Sequence, residues 1–341
     1  MADHPLKPIF IVGNSRSGTT LVSKILNNHP NIHGFKELHF FEQLWTPVEH
    51  PSPIDPSDAI KLGARLIGHE REGRKMLRDA RPYDSESKAM LAGIENSTIT
   101  AVDVYKRFLQ YETSRHQKTI PCEQTPRYAL FINHILNHLP DARVIIMYRD
   151  PRDVLLSQKR RWRRAFTDDH AVPVKEILRT WANYHPFLIS KLWNTVIREA
   201  ERFRAHPHVK IVHFETLLQS PQNVVMELCA FLGIEYTSSM LDVPASRSPT
   251  EVITNPRPGI STRPIGRWKG SLNTAEIFWC QRINGCLMTR LGYPLAAEKI
   301  AVWRLLVSLI SLPVKGLLSI LLNIGQSKNI LKSIRKRLVA I

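Results

Sequence analysis

The stretch at residues 8–28 constrains the fold more than any other part of this sequence. An apolar run at 9–12 leads into a turn bounded by Gly13 and Gly18, and an apolar pattern with helical spacing follows. A strand, a turn and a helix in this order aim backbone N–H groups and the positive end of the helix dipole at one point. The pattern therefore predicts an anion-binding loop at the end of a buried strand.

The residues inside this turn argue against a nucleotide hydrolase or kinase with a Walker loop. That loop needs a lysine directly after its second glycine, where this chain has Thr19. The cation of the turn is Arg16, whose planar guanidinium can hold an anionic group during its transfer. A plain connecting turn is the alternative, but the two glycines, Arg16 and the hydroxyls of Thr19 and Thr20 together favour a binding site.

Two segments resemble the binding motifs of sulfotransferases that use 3′-phosphoadenosine 5′-phosphosulfate (PAPS). GNSRSGTTL, at 13–21, is similar to the loop that binds the 5′-phosphosulfate, and ARVIIMYRDPRDVLLSQKRRW, at 142–162, is similar to the 3′-phosphate motif. In the second motif an arginine at a strand end and a serine about two helical turns later hold the phosphate. The resemblance implies PAPS as co-substrate. It also implies these nucleotide-binding residues: Asn14, Ser15, Arg16, Ser17, Gly18, Thr19, Thr20, Arg149 and Ser157.

The catalytic base implied by the resemblance lies in the segment HPNIHGFKELHFF. In similar protein-tyrosine and heparan-type sulfotransferases a glutamate follows the His-Pro pair at the place of Glu37. A carboxylate near the reacting oxygen assists removal of a hydroxyl proton, so Glu37 is the candidate base and Arg16 the candidate for charge stabilisation. His39 competes with Glu37, because cytosolic members of the family use histidine. A solvated carboxylate paired with Lys36 or His39 is the third interpretation of Glu37.

Two further segments extend the resemblance. In QTPRY, which begins at Gln124, family members often carry lysine at the position of that glutamine. Either Arg127 or the pair Arg267 and Lys269 replaces this cation, or the lysine matters less in this subgroup. IGRWKGSL is similar to the loop that closes over the 3′-phosphate, which implies Arg267, Trp268 and Lys269 as further cofactor-binding residues.

The predicted fold class is α/β: a three-layer, P-loop-like domain with a mostly parallel central sheet, plus a helical insertion and a helical C-terminal extension. The 341 residues suffice for one such domain at 1–298. The insertion, at 46–118, is expected to lie over the mouth of the site and shape the acceptor pocket, with a solvated helical hairpin as the alternative. Helices are also predicted over 128–139 and, as one long element, over 172–204.

The charge of the chain calls for an acidic partner. The formal net charge is +17 and the isoelectric point is near 9.9, which suits a nucleotide, an anionic acceptor, a membrane surface or nucleic acid. No nucleic-acid-binding motif accompanies the charge, so nucleic acid is not expected. The four cysteines have no metal-ligand spacing and indicate a reducing compartment. We expect no metal, because a transferring sulfonate carries one negative charge fewer than a phosphoryl group.

The tail at 299–341 differs in composition from the rest. Long apolar runs are interrupted by Pro313, Lys315 and Gly316, and the end is basic. An amphipathic hairpin in the interface of an anionic membrane is one interpretation, and helices docked on the domain or burying a homodimer interface are the other. The predicted first strand begins too early for a signal peptide before it, so the expected location is cytoplasmic, or peripheral on the membrane if the tail binds lipid.

The reaction implied by the resemblance is transfer of the sulfonate group of PAPS to an acceptor hydroxyl. A carbohydrate, a lipid and a tyrosine or other phenol are all open as acceptors. Two other functions stay open beside it. One is a P-loop kinase or NTPase, and the other is a catalytically silent, membrane-associated nucleotide-binding protein.

Overall fold

A five-stranded parallel sheet forms the centre of the molecule. The computed structural model describes residues 6–45, 53–73, 76, 80–94, 98–162, 173–243, 260–297, 299 and 301–323. The strand order is β2-β3-β1-β4-β5, and each pair of neighbours runs parallel. The α/β class with a mostly parallel sheet is thus confirmed. The strands are β1 (Ile9–Gly13), β2 (Ile32–Gly34), β3 (Ile120–Gln124), β4 (Arg143–Tyr148) and β5 (Val209–His213).

Helices cover both faces of this sheet. They are α1 (Thr19–Asn27), α2 (Pro56–Glu72), α3 (Asp84–Met90), α4 (Ala101–Arg115), α5 (Ile132–His138), α6 (Pro151–Lys159), α7 (Val174–Ala182), α8 (Pro186–Glu201), α9 (Phe214–Gln219), α10 (Pro221–Leu232), α11 (Thr274–Arg290) and α12 (Val302–Asn323). Short turns add a π-helical segment, Phe40–Leu44, and a 3-10 segment, Pro126–Leu130.

Alternate side chains of β1 enter two separate cores. Phe10 and Val12 belong to the larger core, which also holds residues of α2, α4, α5 and α8. Ile9 and Ile11 belong to the second core, with α1, α9 and α10. A strand buried on both faces reads as a continuous apolar run, which explains why β1 is recognisable from the sequence. The helix–sheet–helix arrangement forms the three layers.

The helices within 53–116 are part of the larger core. Leu66 of α2 and Phe108 of α4 are fully buried in the same cluster as Phe10. Arg71, at the end of α2, is held by Glu86 at 2.7 Å and by the buried Glu112 at 2.5 Å. These helices are thus packed into the domain on one side, and their role in shaping the acceptor pocket stays a prediction.

Two predicted helices are divided in the structure. The element expected over 172–204 is two helices, α7 and α8. The first helix does not run on into the second, because Pro186 has no N–H to donate to the preceding turn and instead begins α8. The side chain of His185 caps the second helix by accepting from the N–H of Phe187 at 3.3 Å. The element expected over 128–139 is a 3-10 turn followed by α5, since Phe131 leaves helical geometry with φ −125°.

The turn expected around Pro313 does not form within the described residues, where one helix, α12, passes through that proline. It packs against α7 and α11. Among the described helices, α12 alone has the length and apolar composition to cross a membrane, with a mean hydropathy of 2.2 over Val302–Leu322. The remainder of the tail, from 324, lies outside the described residues.

Candidate active site

The turn after β1 has a backbone that its residue types make possible. Gly13 and Gly18 have φ values of 146° and 96°, which glycine adopts without strain. Neighbours also exclude larger residues, because a Cβ at Gly13 would lie 2.6 Å from the carbonyl oxygen of Met147 and one at Gly18 would lie 2.2 Å from the ring of Phe214. Arg16 itself has φ 75°. The loop therefore keeps its curvature through close packing against β4 and the end of β5.

The loop meets the second motif through direct hydrogen bonds. Nε of Arg16 donates to Oγ of Ser157 at 2.9 Å, and a guanidinium nitrogen of Arg149 donates to the carbonyl oxygen of Arg16, also at 2.9 Å. These residues are far apart in sequence and follow the carboxyl ends of adjacent strands, β1 and β4. Ligands of open α/β sheets bind at this edge, where the strand order reverses. The structure thus brings Arg16, Arg149 and Ser157 together.

Three buried polar atoms at this place have no partner in the described part of the protein. They are Oδ1 of Asn14, Oγ of Ser17 and Nε of Arg149. Buried polar groups are nearly always hydrogen-bonded, so groups of this kind, clustered along one loop and the facing arginine, fit a polar ligand. Such a ligand could bond the Asn14 oxygen, which accepts, the Ser17 hydroxyl, which donates or accepts, and the Arg149 N–H, which donates.

Arg149 is held in a buried position between an aromatic ring and a second loop. Its guanidinium lies 4.5 Å from the ring centroid of Phe214 and donates to the carbonyl oxygen of Pro264 at 3.1 Å. Burial lowers the pKa of Arg149, and nearby carboxylates, Asp153 first, oppose that change. The side chain stays cationic, since an arginine pKa starts far above neutrality. A buried cation with an unpaired N–H is suited to an anionic ligand.

The segment that contains Arg267, Trp268 and Lys269 is fastened to α6. Asp153 accepts from the N–H of Gly266 at 2.7 Å and from the N–H of Trp268 at 2.9 Å. The ring of Trp268 is buried, with the guanidinium of Arg152 4.0 Å from its centroid. Trp268 thus packs the segment against the helix that carries Ser157. The roles of all three residues in nucleotide binding stay predictions.

Gln124 contacts the loop helix at the position where the resemblance leads one to expect lysine. Its Nε2 donates to Oγ1 of Thr19 at 3.0 Å, and Oγ1 of Thr20 donates to its Oε1 at 3.5 Å. Arg127, one candidate to replace the missing cation, forms an ion pair with Glu42. Gln124 therefore orients the two hydroxyls at the start of α1.

Glu37 and His39 lie together after β2. Oε2 of Glu37 is 3.6 Å from Nε2 of His39, and Nδ1 of the same ring is 3.1 Å from Oε2 of Glu42. The side chain of Glu37 is 47% exposed, whereas that of His39 is 11% exposed. The carbonyl of Glu37 is also 2.7 Å from Nε2 of His69 on α2. Pairing with His39, one of the interpretations of Glu37, is thus observed, and it leaves the carboxylate accessible.

Buried carboxylates support this segment from behind. Glu70 accepts from the N–H of Lys36 at 3.0 Å, and Glu123 accepts from the N–H of Leu38 at 3.3 Å. Burial raises the pKa of Glu70 to about 7 and that of Glu123 to about 7. For Glu42 burial acts in the same direction, but hydrogen bonding to His39 and the charge of Arg127 outweigh it and lower its pKa. The backbone of 36–38 is therefore fixed by acidic side chains on both sides.

A cleft of about 570 Å³ lies beside the Arg149 turn, between α9 and the segment at 265–269. Its lining includes the carboxylates of Asp153 and Glu215, and burial raises the pKa of both. Glu215 accepts from the N–H of Asp150 at 2.9 Å, which holds the turn in place. No residue of the loop at 13–20 lines this cleft, so we place the candidate site on the loop side of Arg149.

Several residues of the site escape sequence reasoning. Phe214, Glu42 and Glu70 enter the site only through contacts between distant segments, and the sequence indicated a site role for none of them. A signal existed for one residue alone: Gln124 was visible as a departure from the resemblance, though its hydrogen bonds to Thr19 and Thr20 were not.

Two known proteins are similar in sequence to this chain. Nodulation protein NoeE of Sinorhizobium fredii is 22% identical over 301 residues, which are 83% of this chain and 65% of NoeE. An uncharacterized protein of Aquifex aeolicus is 22% identical over 285 residues, 78% of this chain and 31% of that protein. The chain therefore spans less than two thirds of the length of either relative.

A solved structure shares the fold. The sulfotransferase domain of the Synechococcus PCC 7002 olefin synthase superposes with a TM-score of 0.50 at 20% identity, covering 86% of this chain and 98% of that domain. The model of the sulfotransferase family matches residues 8–238, which include the loop, Glu37, Arg149 and Ser157. The chain therefore belongs to the sulfotransferase family.

Proposed function

We propose that this chain transfers the sulfonate group of PAPS to an acceptor hydroxyl. The observation that carries the proposal is the junction of the two motifs, in which Arg16 bonds Ser157 and Arg149 bonds the backbone of Arg16. A loop for one phosphate and an arginine for another, in direct contact, suit a nucleotide that carries groups at both its 5′ and its 3′ position. The donor half of the site comprises the loop at 13–20, Arg149 and Ser157.

The unpartnered buried atoms support a polar occupant of the donor half. The hydroxyl of Ser17 and the N–H groups of the loop would donate to the 5′-phosphosulfate, and Arg149 with Ser157 would hold the 3′-phosphate. Oδ1 of Asn14 is an acceptor and would pair only with a hydroxyl or N–H group of the ligand. Arg16 would stabilise negative charge on the sulfonate oxygens and on the departing phosphate. Arg267 and Lys269 would cover the nucleotide from the segment fastened by Asp153.

The acceptor half comprises the segment at 37–42 with Glu70 and Glu123 behind it. In the proposed reaction the bond between sulfur and the bridging oxygen of the phosphosulfate breaks as the acceptor oxygen bonds to sulfur. The hydroxyl proton passes to Glu37, the exposed carboxylate of this half. His39, held by Glu42 on its other nitrogen, would keep Glu37 in place and is the second candidate for the base.

A kinase or NTPase is not favoured. Thr19 stands where such an enzyme has its phosphate-binding lysine, and the side chain of Gln124 bonds that threonine. A cation for the outer phosphates of ATP is therefore missing from this position, whereas Arg149 provides one where the 3′-phosphate of PAPS is expected.

Calorimetric titration with adenosine 3′,5′-bisphosphate, with 5′-AMP and with ATP plus magnesium tests the proposal. We expect the bisphosphate to bind most tightly. Arg149→Gln, which keeps a donor for the carbonyl of Arg16, is expected to weaken bisphosphate binding by about 100-fold and 5′-AMP binding by much less. Arg202→Ala, an exposed arginine at the end of α8, is the matched control.

Ser157→Ala provides a second arm, because Ser157 contacts Arg16 as well. This substitution is expected to weaken the binding of both adenosine nucleotides, and that of the bisphosphate more than that of 5′-AMP. Equal losses for both nucleotides in Arg149→Gln would show that the 3′-phosphate binds elsewhere. Tight binding of ATP with magnesium alone would identify a variant NTPase site instead.

A further inference from the structure

Helix α12 turns its polar side chains toward the protein. Ser308, Ser311, Lys315 and Ser319 follow one another at helical spacing, and all four are half-buried. Nε1 of Trp279 donates to Oγ of Ser308 at 3.2 Å. Nζ of Lys315 donates to the carbonyl oxygen of Tyr184 at 3.1 Å, and Oγ of Ser319 donates to Oδ1 of Asn183 at 2.5 Å. These bonds hold α12 along α7 and α11 over about three turns.

The outward side of the same helix is apolar. Its exposed stripe, with spacings of three and four, consists of Trp303, Leu306, Ile310, Val314, Leu317 and Leu321. Ile310 is 69% exposed. A surface helix in water has the opposite arrangement, with its apolar stripe toward the core and its polar face outward. The orientation of α12 is thus suited to an apolar medium on its outer side.

Helix α7 enlarges this apolar face. Val174, Leu178 and Trp181 are exposed at helical spacing next to α12, and Nζ of Lys315 lies 4.3 Å from the ring centroid of Trp181, which joins the two helices. We call the exposed apolar side chains of α7 and α12 the outer face. A contiguous patch from two helices exceeds the scattered exposure that soluble proteins ordinarily show, and marks an interaction surface.

The charge of this part of the sequence points to one kind of partner. Every charged residue in 299–341 is basic: Lys299, Arg304, Lys315, Lys328, Lys332, Arg335, Lys336 and Arg337. Those beyond 323 lie outside the described residues. Arg304 is exposed beside Trp303, with its guanidinium 5.1 Å from the ring centroid. Apolar side chains with aromatic and basic neighbours match the boundary between acyl chains and anionic headgroups. A second copy of the chain would instead bring two basic tails together.

We propose that the outer face docks on the surface of an anionic lipid bilayer, with α7 and α12 lying along it. Helix α12 does not span in this arrangement, because Asn183, Tyr184 and Trp279 of the folded domain flank it from Ser308 to Ser319 and would have to enter the hydrocarbon with it. This docking is separate from the proposed sulfotransfer, since no residue of the outer face belongs to the donor or acceptor half.

Vesicle flotation of the full chain tests the docking. We expect binding to vesicles of phosphatidylcholine with about 30% phosphatidylglycerol, and binding weakened about tenfold by pure phosphatidylcholine or by high salt. Ile310→Glu is expected to weaken binding by about tenfold or more, because it replaces an apolar contact by a charge. Met226→Glu is the matched control, since Met226 is 48% exposed on α10, away from the outer face.

The folded state of each variant is checked by circular dichroism and thermal unfolding, so that loss of binding is not loss of fold. Unchanged binding of Ile310→Glu would overturn the proposal. So would a dimer formed without lipid that Ile310→Glu dissociates, which would assign the outer face to a second copy. Protein that stays in the membrane at alkaline pH would show a spanning helix instead of a docked one.

Discussion

The donor and acceptor halves of the site differ in the charge of their side chains and in how those side chains are partnered. The donor half offers arginines and backbone N–H groups, and several of its buried polar atoms have no partner in the described structure. The acceptor half is built on carboxylates, among them Glu42, Glu70 and Glu123, each held by a hydrogen bond or an ion pair. One half is prepared to receive an anion, whereas the other is prepared to hold a backbone and a proton acceptor.

This difference teaches how one sheet edge can serve two chemical tasks. The two halves touch through β3, where Glu123 bonds the backbone of Leu38 and the next residue, Gln124, bonds Thr19. The cationic donor half and the acidic acceptor half thus lie at different places along one sheet edge, and β3 holds both in position. Substitutions that act on one half only, or on the connection, measure how separate the two tasks are.

Removal of the loop cation is expected to have the largest effect. Arg16→Ala should lower kcat/KM by about 1,000-fold, because charge on the transferring group and the departing phosphate loses its guanidinium. The kcat/KM of Arg16→Lys should lie between those of the wild type and Arg16→Ala, since an ammonium carries the charge but lacks the planar fork of a guanidinium. Steady-state kinetics measure both, with Arg202→Ala as control. A loss below tenfold for Arg16→Ala would remove the arginine from its proposed role.

Substitutions in the acceptor half are expected to act next. Glu37→Gln should lower kcat/KM, measured by steady-state kinetics, by about 100-fold, because the amide cannot accept the proton. His39→Asn, chosen because asparagine tolerates the φ of 55° at this position, should lower kcat/KM by about tenfold. The reverse order, with the larger loss in His39→Asn, would make His39 the base.

Glu70 provides a test of the support behind the acceptor half. Its folded pKa of about 7 lies above its ordinary value of 4.5 because of burial, so the folded state binds the proton more tightly than the unfolded chain. The free energy of unfolding therefore falls as pH rises from 4.5 to 7. Glu70→Gln should be more stable than the wild type by about 3 kcal/mol at pH 8 and no different at low pH.

Urea unfolding of this variant across the pH range measures that difference, and the exposed Glu227→Gln is the control. Glu123 contributes the same pH dependence to both proteins and cancels. A constant difference at every pH would show that Glu70 does not titrate as its burial indicates.

The connection between the halves is expected to give the smallest effect. Gln124→Leu removes the bonds to Thr19 and Thr20, worth about 1 kcal/mol, and should raise the Kd of adenosine 3′,5′-bisphosphate about fivefold. Gln222→Leu, an exposed glutamine on α10, is the control. An increase above 100-fold would mean that Gln124 contacts the nucleotide itself.

The contacts that join Arg16, Arg149 and Ser157 could be anticipated from the sequence more readily than those around Glu37, and the reason is local. The turn after β1 and the Arg149 turn are each specified within about twenty residues, by a buried strand and the start of a helix, with glycines in the first turn and Asp150 and Pro151 in the second. Their mutual contact needed only the rule that parallel strands end at one edge. The division at Pro186 was also readable in principle, since proline there signals a helix start.

The remaining features depend on contacts that no short segment encodes. Glu70 of the inserted region and Glu123 of β3 bond the backbone on either side of Glu37. The ion pair of Arg127 with Glu42 likewise joins segments far apart in sequence. The inward direction of Lys315 on α12 depends on where the carbonyl of Tyr184 lies. The hydrophobic pattern shows that this segment is apolar, but it does not indicate which side of α12 packs against the protein.

Phe214 limits how this chain can change over generations. Its ring fills the space that a Cβ at Gly18 would occupy and also lies under the guanidinium of Arg149. A larger residue at 18 displaces the ring, and a displaced ring moves the arginine. In a library randomised at positions 18, 149 and 214, acceptable sequences will therefore arise as combinations, and single changes found neutral in one background will fail in another.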